Sequence, residues 1–293
     1  MNRSIRNTGR FFKLAVVLFA VVPMLLWLCP TSPQSTALAA EKTAGRVFVN
    51  AKAAVVLDAR TGDLLYSKNA DTPMYPASTT KLMTAVLLVT HLHPDDPVFV
   101  SRAAARQARV RLGLKPGTTL TADEALHALL MKSANDVAYA VAETVGGSQM
   151  GFARMMNLKA RLIGCTHTNF VTPNGLHADE HMTSAHDVAL ILREAIRYPE
   201  IVKAMHTTDY TVAGKTIRNT NRLMYLKQST FGEVIGGKTG FTSKAMYCLA
   251  FAARQKEGVR ISVVLGAPRK SSMYRETRRL LEMAYRDKNV QIV

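Results

Sequence analysis

Cysteine is sparse in this sequence, three residues in 293. That excludes a disulfide-stapled mini-protein, and no Cys/His spacing resembles a zinc site. Long apolar runs are also lacking. Only Leu14 to Cys29 approaches the length of a membrane span, so a multi-span membrane protein is excluded. Acidic residues are few, 21 Asp+Glu against 38 Lys+Arg, for a formal net charge of +17. The basic residues are spread along the chain, without an arginine tract or a stripe interleaved with aromatics. They read as general attraction to anionic surfaces, and nucleic acid is not an expected partner. With 48% hydrophobic and 20% charged residues, the remainder is an ordinary globular mixture. Disordered polymers, collagens and coiled-coil rods are thereby excluded.

What is present begins with a targeting pattern. Arg3, Arg6, Arg10 and Lys13 precede the apolar run, and the small-residue site Ala37-Leu38-Ala39 follows it. This is the order of a secretory signal. Residues 1–39 are expected to be a signal peptide or an N-terminal membrane anchor, and residues 40–293 an exported catalytic domain. The protein is then extracytoplasmic, soluble or tethered to a membrane surface by its N-terminal segment. Cys165 and Cys248 remain after cleavage and read as two unpaired buried thiols, although an oxidising compartment would permit a bridge. His177 and His181 stand four apart, but Pro173-Asn174-Gly175 argue for a loop there rather than a zinc-binding helix. Neither a metal nor a cofactor is expected.

The patterning then alternates between periods. Ala53 to Ala59 and the segment starting at Leu64 read as a hairpin about Thr61-Gly62-Asp63. Ser78 to Thr90 has Leu82, Ala85, Val86 and Val89 at helical spacing, with Ser78 or a neighbour expected as its cap. Helices are predicted from Thr121, over about Asp136 to Thr144, over about Met150 to Ile163, and from Ser184 to about Arg197. From Asp209 the period becomes strand-like. Ala245 to Ala253 and Val259 to Ala267 form a second hairpin, and Ser272 to Arg286 a final amphipathic helix. The expected fold is α/β of the α+β kind: an antiparallel sheet flanked by helices. Its sheet part is about 45–90 and 209–293, and a helical insertion covers about 91–208.

Three short motifs carry chemistry: Ser78-Thr79-Thr80-Lys81, Ser133-Ala134-Asn135 and Lys238-Thr239-Gly240. Each is weak alone, and Ser67-Lys68-Asn69 also matches the second, but at the end of the first hairpin and in the wrong order. Ser78 opens an apolar helix with Lys81 one turn later on the same face. A serine hydroxyl needs an adjacent base to act as a nucleophile. A lysine, with a free pKa of about 10.4, serves only if burial and a nearby cation lower it. Lys238 can be that cation. Ser78 at a helix start can also turn its backbone N–H to an oxyanion. Gly236-Gly237 would let a ligand approach the strand before Lys238 closely.

The trio is the set known from penicillin-binding proteins and class A β-lactamases. Together with Tyr75-Pro76-Ala77-Ser78, Asn174-Gly175-Leu176-His177, Asn219-Thr220-Asn221-Arg222-Leu223 and Gly236 to Thr242, it makes the chain from about Ala53 to about Tyr285 resemble a family. That family is the low-molecular-weight penicillin-binding proteins, serine D-alanyl-D-alanine carboxypeptidases. The resemblance implies Ser78 as the acylated nucleophile, Lys81 as its base and Ser133 as proton donor to the leaving D-alanine. It implies Asn135 on the acyl-side amide, and Lys238 and Thr239 on the substrate carboxylate. It places the Ser78 and Phe241 N–H groups in an oxyanion hole beside Gly240, and Arg222 near the terminal carboxylate. The implied partners are the peptidoglycan stem peptide and, as covalent inhibitors, β-lactams. A D,D-endopeptidase is the first alternative. A β-lactamase lacks its Glu-x-x-Leu-Asn pattern here, with only Asp179 and Glu180 in that region, and a non-catalytic scaffold conflicts with the intact trio. Many family members continue into a C-terminal β domain, which is not expected in a chain ending at Val293.

Overall fold

The computed structural model describes residues 49–226 and 230–286, so the expected signal or anchor at 1–39 lies outside the described residues. β1 (Ala53–Asp58) and β2 (Leu64–Lys68) form the first hairpin. A 3-10 turn over Ala77–Thr80 runs into α1 (Lys81–His91). β3 (Pro97–Phe99), α2 (Arg102–Ala105) and β4 (Thr119–Thr121) follow, with β3 and β4 paired. α3 (Ala122–His127) widens into a π turn over Ala128–Lys132 before α4 (Asn135–Gly146). Next come α5 (Gln149–Leu162), α6 (Ala185–Ala195) and α7 (Pro199–His206). β5 (Asp209–Val212) and β6 (Lys215–Arg218) precede a 3-10 turn over Arg222–Tyr225. β7 (Glu233–Thr242), β8 (Met246–Gln255), β9 (Gly258–Ala267) and α8 (Lys270–Arg286) complete the order.

The principal sheet has the order β2-β1-β9-β8-β7, and every neighbouring pair in it is antiparallel. Strand alternation divides its side chains between two cores. From β1, Ala53, Val55 and Leu57 enter the core shared with the helical segments, whereas Ala54 and Val56 enter the core under α8. In β8, Cys248, Ala250 and Ala252 take the first side, and Leu249, Phe251 and Ala253 the second. The strands are apolar on both faces because both faces are covered, which is why β8 and β9 read as continuous runs. β7 is left at the edge, beside the 3-10 turn that carries Ser78.

The α+β architecture is as expected, with four local differences. Ser78 does not cap α1: no side chain does, and the Thr79 and Thr80 hydroxyls instead donate to the carbonyls of Pro76 and Ala77 at 2.8 Å each. The insertion contains the β3–β4 ribbon as well as helices. Pro199 starts α7, a position where its missing N–H costs nothing. Residues 209–218 form a separate two-stranded ribbon, and the chain rejoins the principal sheet only at β7. Ser184 caps α6 as predicted, accepting from Asp187 N. Cys165 and Cys248 are both buried and unbridged.

Candidate active site

Lys81 begins α1 with its side chain fully buried, 0% exposed. Its Nζ donates to Asn135 Oδ1 at 2.8 Å and to the Asn174 carbonyl at 2.6 Å, and lies 3.1 Å from Ser78 Oγ. Burial pushes this amine well below the usual lysine range, and the Lys238 ammonium adds to the shift while the Asp136 carboxylate opposes it. A neutral amine has two hydrogens and one lone pair. Asn135 and Asn174 take the two hydrogens, so the lone pair faces the Ser78 hydroxyl, which can donate to it. Three segments far apart in sequence thus surround one amine of lowered proton affinity.

Each neighbour is anchored in turn. Asn135 Nδ2 donates to Ala108 O at 3.0 Å and its backbone N–H to Val110 O at 2.8 Å. Its second amide hydrogen has no acceptor among the described residues. Buried Asp136 accepts from the N–H groups of Leu112, Gly113 and Val137 at 3.1, 2.9 and 3.0 Å, which pins the 106–115 loop to the start of α4. Ser133 sits where the π turn ends, in the left-handed conformation at φ 66°, ψ 36°. Its Oγ is buried and has no hydrogen-bond partner among the described residues. A strained residue with an unpaired buried hydroxyl is the form expected of a group that meets its partner only in substrate.

Lys238 on β7 is 1% exposed and donates to Thr239 O at 2.8 Å. Burial lowers its pKa to about 7. The β7 backbone closes on the serine at Gly240. A Cβ there would stand 2.9 Å from Ser78 N and 3.2 Å from Pro76 O, so a larger residue would push strand and turn apart. Phe241, the next residue, is exposed and stacks on Tyr247 at 4.5 Å.

The structure therefore brings together Ser78, Lys81 and Asn135 by direct contact. Lys238 joins them through its charge, and Gly240 by close backbone approach. It does not bring Arg222 to them. Arg222 is exposed, its backbone N–H donates to Tyr274 Oη at 3.2 Å, and it lines a cavity against α8. Thr220 occupies the nearer ground, its N–H and Oγ1 both donating to Met131 O at 3.0 Å. Asp179 and Glu180 are not at the serine either. Asp179 is 87% exposed and pairs with His177 at 3.1 Å and Lys244 at 3.6 Å.

Sequence reasoning missed Asn174, Gly175 and His181 as site residues. Gly175 has φ +79°, and a Cβ there would meet Ala77 O at 1.9 Å, so the loop can lie on the serine turn only with glycine. His181 Nδ1 accepts from Val171 N at 2.9 Å and Thr172 N at 3.1 Å. The proton is thereby placed on Nε2, which donates to Thr80 Oγ1 at 2.9 Å. Burial, with Lys81 and His177 nearby, lowers its pKa to about 4, so it stays neutral. His181 thus clamps the loop bearing the Asn174 carbonyl to the residue before Lys81. His181→Ala should slow acylation about 10²-fold by loosening this geometry. It should also move the acid limb of the rate to higher pH, because Lys81 becomes more hydrated. His181→Gln, which keeps a donor and an acceptor, should restore most of the rate. Stopped-flow acylation of the three proteins across pH decides it, and an unchanged pH profile in His181→Ala would reject the clamp.

Comparison with known proteins follows the same geometry. The family profile Peptidase_S11, described as D-alanyl-D-alanine carboxypeptidase, matches residues 39–269. The D-alanyl-D-alanine carboxypeptidase DacF of Bacillus subtilis is 32% identical over 270 residues, which cover 89% of this chain and 68% of the relative. DacC of Escherichia coli is 34% identical over 263 residues, covering 86% and 65%. The chain thus spans about two thirds of the length of these curated relatives. Penicillin-binding protein D2 of Listeria monocytogenes, solved in an ampicillin-bound form, is similar with a TM-score of 0.73 and 29% identity, covering 82% of this chain and 99% of that one.

Proposed function

Because this chain belongs to the Peptidase_S11 family of D-alanyl-D-alanine carboxypeptidases, we propose that it removes the terminal D-alanine from peptidoglycan stem peptides through a serine acyl-enzyme. The observation that carries the reading is the buried Lys81 amine, whose two acceptors leave its lone pair to Ser78. Ser78 Oγ attacks the carbonyl of the penultimate residue while its proton passes to Lys81 Nζ. The Ser78 and Phe241 N–H groups receive the developing oxyanion. Ser133 hands a proton to the departing amine as the C–N bond breaks and takes the Lys81 proton in its place, so Lys81 returns to the neutral amine and free D-alanine leaves. Lys238 and Thr239 hold its carboxylate, and Asn135 the acyl-side amide. Water then attacks the ester, Lys81 takes its proton and passes it to Ser78 Oγ as the acyl–oxygen bond breaks, and Ser78 and neutral Lys81 are regenerated.

The substrate places this work outside the cytoplasmic membrane. No helix among the described residues is long and apolar enough to cross a membrane. A tether through residues 14–29 remains part of the proposal. β-Lactams would acylate Ser78 and persist, because their leaving amine stays attached and obstructs water. The test is release of free D-alanine from a stem mimic ending in D-alanyl-D-alanine, beside a cross-linked dimer. Cleavage of the dimer alone would replace this reading with an endopeptidase, and no cleavage of either would remove the activity.

The two lysines set opposite pH demands. Lys81 must be neutral to act as base, so acylation falls at low pH as it protonates. Lys238 must be charged to attract a carboxylate, so acylation falls as pH rises through about 7. A bell is expected for the second-order acylation rate by penicillin. Lys238→Gln should remove the alkaline limb. It should also move the acid limb to higher pH, because loss of the neighbouring cation lets Lys81 hold its proton more tightly. An alkaline limb that persists in Lys238→Gln would assign it to another group.

A further inference from the structure

The 3-10 turn over Arg222–Tyr225 and α8 form the walls of an open surface cavity of about 470 Å³ on the α8 side of the sheet. Arg222, Arg275, Arg278 and Arg279 line it together with Leu223 and Leu226. Arg275, Arg278, Arg279 and Glu282 recur at the three- and four-residue spacing that aligns side chains on one helix face. Glu282 is the single acid in that lining. It lies 3.9 Å from Arg278 and also accepts from the Thr230 hydroxyl. Arg222, Arg275 and Arg279 have no ion-pair partner among the described residues. Arg222 is held in position by its backbone: its N–H donates to Tyr274 Oη, which donates to Thr220 O at 3.3 Å.

Four guanidinium groups around one cavity repel one another and leave a positive field that one carboxylate does not cancel. Guanidinium forks match phosphate oxygens in bidentate geometry. The volume falls in the range of small-molecule sites, ~300–1,000 Å³, which is more than a bare ion requires. Leu223 is buried in the wall and Leu226 is exposed at 39%, so the cavity also offers apolar surface. We propose that this cavity is a binding site for a phosphate-bearing organic ligand, with the phosphate among the arginines and its carbon skeleton on Leu223 and Leu226. A soluble phosphoester and the headgroup of an anionic lipid share this chemistry. The site is separate from the Ser78 cleft and does not depend on the peptidase reading.

The test uses the full chain and two probes at ~0.15 M salt, where loose surface attraction is screened. Glycerol phosphate is titrated by calorimetry. Vesicles of phosphatidylglycerol are compared with phosphatidylcholine by co-sedimentation. The wild type should bind at least one phosphate probe and ignore phosphatidylcholine. Arg275→Gln/Arg279→Gln should weaken that binding about tenfold or more. The charge-matched control Arg154→Gln/Lys203→Gln, exposed on α5 and α7, should bind like the wild type. Penicillin acylation should be unchanged in both variants, which reports an intact fold. Binding of glycerol phosphate supports a soluble ligand, and binding of phosphatidylglycerol vesicles alone supports a lipid headgroup. The proposal is overturned if neither probe binds, or if both double variants weaken binding alike, since net charge then explains it.

Discussion

Ser78→Ala should lose covalent labelling by penicillin completely and lose turnover of a D-alanyl-D-alanine substrate by about 10⁶-fold, the scale at which removal of a serine nucleophile is felt. The expectation rests on position. Ser78 lies in a 3-10 turn directly before two threonines, yet their hydroxyls are committed to the Pro76 and Ala77 carbonyls. Of the three hydroxyls in this turn, that of Ser78 is the one in contact with the Lys81 amine, at 3.1 Å. Ser133 also carries a hydroxyl with no partner among the described residues, but it is Asn135 of that motif that contacts Lys81. Mass spectrometry of penicillin-treated protein decides the matter. A label on Ser133, or an undiminished label in Ser78→Ala, would reassign the nucleophile. The substitution removes one oxygen from a partly exposed turn, so thermal stability should change little.

Lys81→Arg should reduce acylation by roughly 10³-fold, the contribution of a positioned general base. Guanidinium keeps the positive charge, so a purely electrostatic role for Lys81 would survive the exchange. It cannot deprotonate, so a basic role would not. The pocket is also shaped for a small ammonium or amine: Asn135 Oδ1, Asn174 O and Ser78 Oγ stand within 2.6 to 3.1 Å of one nitrogen. A planar five-donor group does not fit among those three oxygens. Near wild-type acylation in Lys81→Arg, measured on protein with an unchanged circular dichroism spectrum, would place the base elsewhere. Lys238 is the next candidate, since burial holds its pKa to about 7.

Legibility in the sequence varied with the range of the interactions. The β1–β2 hairpin and the final β8–β9 hairpin were readable because turn residues and short apolar runs are local. Thr121 and Ser184 were readable as helix starts for the same reason, each accepting from an N–H three residues on. The cap expected at Ser78 failed because its hydroxyl belongs to the site. Arg222 was misplaced because a basic residue beside a family-like segment does not reveal which way that segment faces. The Tyr274 hydroxyl turns it to α8. Asn174 was missed as a Lys81 partner because it acts through its backbone carbonyl, and every residue type carries one. His181 was passed over once zinc was discounted, although its work is to hold a loop.

By itself the sequence determined the chemistry on offer: a serine and a lysine one turn apart on an apolar helix, a Ser-Ala-Asn junction, and a Lys-Thr-Gly strand behind two glycines. It also determined an antiparallel sheet interrupted by helices, since alternation and helical spacing are properties of neighbouring residues. Only the tertiary structure decided that the Lys81 amine holds its proton weakly. Its lowered pKa comes from burial and from Lys238 on β7, set against Asp136, while acceptors on α4 and the 171–175 loop orient the amine. The proton affinity of an amine depends on the dielectric and charges within a few ångströms of it. The charges are supplied here by Asp136 and Lys238, 55 and 157 positions away along the chain, a separation that no local pattern encodes.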